Sequence, residues 1–118
     1  MATDTILLFV HDRPVLSSLQ FALAVEGIET LDGEADECDP LAAAALVLEH
    51  GQQRDRLAAL TALRARGCTA PALLLATHPT ALVRGRAQAL GATVIEMPLF
   101  GDELGAAIRA ALKMPKAA

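Results

Sequence analysis

The sequence contains neither tryptophan nor tyrosine, and its aromatic content is three phenylalanines in 118 residues. It has no Lys/Arg-rich run with interleaved aromatics, and its net charge is -4, which argues against a nucleic-acid surface. Cysteine is scarce as well. Cys38 and Cys68 are far apart and in no CxxC or Cys/His metal spacing, so they read as free thiols of a reducing compartment. No glycine occurs in "HDRPVL", residues 11 to 16, which sets aside a P-loop or dinucleotide fingerprint after the first apolar run. Hydrophobic residues make up 53%, yet the longest uninterrupted runs are five to eight residues, too short to span a bilayer. "MATDT" offers no basic segment before its apolar run and no cleavage pattern after it, so the expectation is a soluble, cytoplasmic chain without a secretory signal.

What is present is an alternation. A length of 118 residues suits one domain with a single core, residues 1–118, ending in a frayed tail at 113–118, "KMPKAA". Short apolar runs bounded by turn residues occur at 6–10, 45–48, 72–76 and 93–95, each fit for a strand buried on both faces, with a further strand at about 28–31. Between them the spacing is helical: Val15, Leu19, Ala22 and Leu23; Leu57, Leu60, Ala62 and Leu63; Leu82, Val83, Ala87 and Leu90; Leu104, Ala107, Ile108, Ala111 and Leu112. Gly27, Gly67 and Gly91 stand where left-handed cap residues are expected, and Asp102 where an N-cap would begin the last helix. Only about a dozen residues, interrupted by Pro40, separate the second strand from the third, so the second helix is expected to be short or missing. Right-handed crossovers then give an α/β fold, a doubly wound five-stranded parallel sheet with helices on both faces.

Two stretches carry a resemblance. "FVHDRPVLSSLQFALAVEGIET" resembles the opening of CheY-like response-regulator receiver domains, in which two acidic residues end the first strand and a Pro precedes the first helix. "GATVIEMPLFGDELGAAIRAAL" resembles their ending, where a Lys-Pro-Phe element joins the fifth strand to the last helix. The likeness covers nearly the whole chain. It implies the flavodoxin-like strand order 2-1-3-4-5, a role in bacterial two-component signal transduction, and a cis Met97–Pro98 bond.

The resemblance also marks departures. Family members hold magnesium with the acidic pair, accept phosphate on an Asp closing the third strand, and contact it through a Thr or Ser after the fourth strand and a Lys before the Pro. Here His11 and Asp12 stand at the acidic pair, Glu49 at the phosphoacceptor, Ala76 at the Thr or Ser, and Met97 at the Lys. The aromatic switch residue of the fifth strand is replaced by Val94 or Ile95. An imidazole in place of a carboxylate weakens a site for magnesium, which prefers hard oxygen ligands. Loss of the Lys removes the cation that would stabilise developing phosphoryl charge. Glu49 is one methylene longer than Asp and either imitates the phosphorylated state or pairs with Arg13 or a backbone donor.

The three histidines, His11, His50 and His78, all follow expected strands and share the carboxyl edge of the sheet with Asp12 and Glu49, the edge where ligands bind in doubly wound folds. A transition-metal site of His11, Asp12, Glu49 and His50 is one alternative, since imidazole with carboxylate suits zinc better than magnesium. Ser17, Ser18, Thr77 and Thr80 lie in no strained elbow sequence, and no catalytic residue is assigned. Arg84 and Arg86 beside apolar residues, with Leu104 and Ile108 of the last helix, form the expected docking face for a signalling partner or a second copy, as the resemblance implies. The sequence thus favours a non-enzymatic, phosphorylation-independent pseudo-receiver without a cofactor, acting by protein contact. A metal- or ligand-responsive module and a still phosphorylatable response regulator are the alternatives.

Overall fold

In the computed structural model, which describes residues 5–35, 39–51, 55–97 and 103–113, the apolar runs are the strands. They are β1 (Ile6–Phe9), β2 (Thr30–Asp32), β3 (Ala45–Glu49), β4 (Ala72–Ala76) and β5 (Ala92–Glu96). All pair in parallel, in the order β2-β1-β3-β4-β5. The helices are α1 (Arg13–Val25), α2 (Arg56–Ala65), α3 (Ala81–Ala89) and α4 (Glu103–Leu112), four among the described residues.

Alternation along the strands feeds two cores. Leu7, Phe9, Leu46, Leu48 and Leu74 face one side, where they meet Leu57, Leu60 and Leu63 of α2 and Ala87 of α3. Ile6, Leu8, Val47, Leu73 and Leu75 face the other, against Leu16 and Leu23 of α1 and Leu104, Ile108 and Ala111 of α4. Each fully buried Leu or Ile contributes about 2 kcal/mol relative to exposure, so the central strands β1, β3 and β4 fix the register.

Between β2 and β3 the one helical element among the described residues is a 3-10 turn, Pro40–Ala42, capped by Asp39 Oδ1 accepting from the Leu41 amide at 3.0 Å. The second helix, expected to be short or missing, is represented among the described residues by this turn alone, and Leu31 and Leu41 are each 48% exposed. The second strand starts at Thr30 rather than 28, for a local reason. Gly27 adopts φ 80°, its N–H donates to the Ala24 carbonyl at 3.0 Å, and Ile28 N–H donates to Leu23 at 2.9 Å, so Ile28 is used in closing α1. Gly67 and Gly91 end α2 and α3 with φ 98° and 73°. The Met97–Pro98 bond, the Asp102 cap and Cys38 lie outside the described residues. No helix among the described residues is long and apolar enough to cross a membrane.

Candidate functional site

The carboxyl ends of β1, β3, β4 and β5 form one edge, set by the pairings Phe9 with Leu48, Glu49 with Leu75 and Ala76 with Glu96. His11 and Asp12 follow β1 and are exposed. Asp12 is the N-cap of α1, and its Oδ1 accepts from the Val15 amide at 3.3 Å, with Pro14 preset for the first turn. Its carboxylate therefore serves the helix. Glu49 ends β3, half-buried, and by strand alternation lies on the face of Val47 and Leu75; its carboxylate has no hydrogen-bond or ionic partner among the described residues.

The two positions that would contact a phosphoryl group are apolar and packed. Ala76 is buried, and its carbonyl accepts from the Met97 amide at 2.9 Å. Met97 is half-buried against the α1/α4 core rather than extended over the edge. Val94 packs toward the α2/α3 core and Ile95 toward the opposite one, so neither offers an aromatic ring to the edge.

Glu49 does not pair with Arg13, which corrects one of the two local partners considered for it. Arg13 Nη1 lies 2.7 Å from Asp32 Oδ2, and Asp32 Oδ1 also accepts from the Glu34 amide at 2.9 Å. The guanidinium, together with that amide, holds the Asp32 carboxyl below the usual aspartate range. Gly33 makes this loop fit: it is buried, its N–H donates to the Leu8 carbonyl at 2.8 Å, and a Cβ there would stand 2.8 Å from the Phe9 ring.

Arg56, which the sequence did not single out, is the buried cation of the edge. Its side chain is 9% exposed, its Nε donates to the Glu49 carbonyl at 3.2 Å, and its Nη2 donates to Glu34 Oε1 at 2.8 Å. It joins the first turn of α2 to the loop after β2. A first-turn Arg after the cap Asp55 ordinarily points to water, and no sequence signal distinguishes this one.

The proposed metal set is not brought together. Among the described residues no group of three or more His, Cys, Asp or Glu side chains is placed to hold a metal ion. Asp12 turns to its helix, and His50 is directed toward α2, where its Nδ1 is 3.9 Å from Asp55 Oδ1, too long for a hydrogen bond. Asp55 is the N-cap of α2, and the Ala58 amide on its Oδ1 at 3.1 Å is the main cause of its lowered pKa, aided by Arg86 and His50. His78 is exposed and adopts φ 50° before Pro79, a conformation costly for a residue preceding proline. Thr80 caps α3, its Oγ1 accepting from the Val83 amide at 3.2 Å.

The expected docking residues divide. Leu104 and Ile108 are 5% and 0% exposed and belong to the α1/α4 core, which corrects their assignment to a surface. Leu104, Ile108 and Ala111 form the stripe of α4 that covers the sheet. Arg84 and Arg86 are exposed; Arg84 pairs with Glu96 of β5, and Arg86 Nη2 lies 3.7 Å from Asp55. Leu82 beside them is 73% exposed.

No family model matches the sequence, and no curated protein matches it. Solved structures do match. The non-phosphorylated HemR receiver domain from Leptospira biflexa superposes with a TM-score of 0.83 at 18% identity, covering 98% of this chain and 99% of that one. The chain has the CheY-like receiver-domain fold. A receiver domain of the Francisella response regulator 1452 gives 0.78 at 15% identity over 94% and 98% of the two chains. An adenylate cyclase structure from Rhodopirellula baltica gives 0.77 at 18% identity over 94% and 88%. The strand order is the one the sequence resemblance implied, while α1 begins at Arg13, so that Pro14 lies in its first turn rather than before it.

Proposed function

We propose that this receiver-fold domain is a non-catalytic signalling module that works through protein contacts and does not depend on phosphorylation. The observation that carries the reading is the pair Ala76 and Met97: one buried without a hydroxyl, the other packed on the core without an ammonium. Phosphoryl transfer is catalysed almost wholly by positioned charge and hydrogen-bond donors, and positions 76 and 97 supply neither. The use of Asp12 as a helix cap supports the same reading, since a carboxylate engaged with the Val15 amide is a poorer magnesium ligand. Glu49, without a partner among the described residues, places a carboxylate at the edge. Arg84 and Arg86, exposed around Leu82, support docking of a protein partner on the α3/β5 side.

Titration with beryllofluoride and magnesium, followed by amide NMR, tests this function. Unchanged resonances for Glu49, Ala76, Thr77 and Met97 are expected. Saturable shifts at those residues would restore a phosphorylatable receiver.

A further inference from the structure

We draw no further inference here: the strongest candidate, the exposed apolar face of α1 that bears Phe21 and Val25, carries nothing because nothing in the structure shows what covers it.

Discussion

Arg56 Nη2 and Glu34 Oε1 meet at 2.8 Å across the carboxyl edge of the sheet, joining the first turn of α2 to the loop after β2. The guanidinium is the buried partner and the carboxylate is one-third exposed, so removing the carboxylate strands a cation that, among the described residues, retains only the Glu49 carbonyl. Glu34→Ala is expected to cost about 1–2 kcal/mol, moderated by solvent at Glu34. In an Arg56→Leu background the same change should cost a few tenths at most, because no buried charge is left behind. Urea denaturation of the four proteins of this cycle measures the coupling; equal costs in both backgrounds would mean that the ion pair contributes nothing.

Asp12 is the residue at which helix capping and metal binding make opposite predictions. As an N-cap, Asp12→Ala should lower stability by about 1 kcal/mol, and Asp12→Ser or Asp12→Asn should restore most of it. Millimolar magnesium should leave the melting temperature of wild type unchanged, since a ligand raises stability only by binding the folded state. A magnesium-dependent rise in wild type that Asp12→Asn abolishes would return Asp12 to a metal site.

Acid should weaken the fold through two aspartates. Asp32, held low by Arg13, and Asp55, held low mainly by the Ala58 amide, both have pKa values depressed in the folded state. The folded protein thus binds fewer protons than the unfolded chain in acid, so their contribution is complete above about pH 4 and is lost as pH falls through the depressed values. Both side chains are largely solvated, so the effect is modest and shrinks with salt. A plot of urea midpoint against pH should be flatter below about pH 4 for Asp32→Asn/Asp55→Asn than for wild type; parallel curves would remove both groups from the acid response.

The strands, their order and the short helical turn between β2 and β3 were legible because buried parallel strands read as short apolar runs and Pro40 interrupts a connection of about a dozen residues. The glycine ends of α1, α2 and α3 were legible for the same local reason, each glycine having a positive φ. What periodicity could not settle was which stripe of an alanine-rich helix is the covered one: in α4 it is Leu104, Ile108 and Ala111, and the exposed apolar stripe lies instead on α1. The Arg56 link to Glu34 and the Arg13 link to Asp32 were also hidden, because pairs 22 and 19 residues apart leave no local pattern. At the edge, residue identities at 11, 12, 49, 76 and 97 were readable, but the turning of Asp12 to its helix and of Met97 to the core depends on side-chain placement.

In the proposed function the edge built from Glu49, Ala76 and Met97 does not accept a phosphoryl group. Intact-protein and peptide mass spectrometry after incubation with acetyl phosphate and magnesium measures this directly. The expected result is an unmodified chain under conditions that fully phosphorylate an active receiver domain run beside it. A mass increase of one phosphoryl group, mapped to Glu49 and lost in Glu49→Gln, would contradict the account.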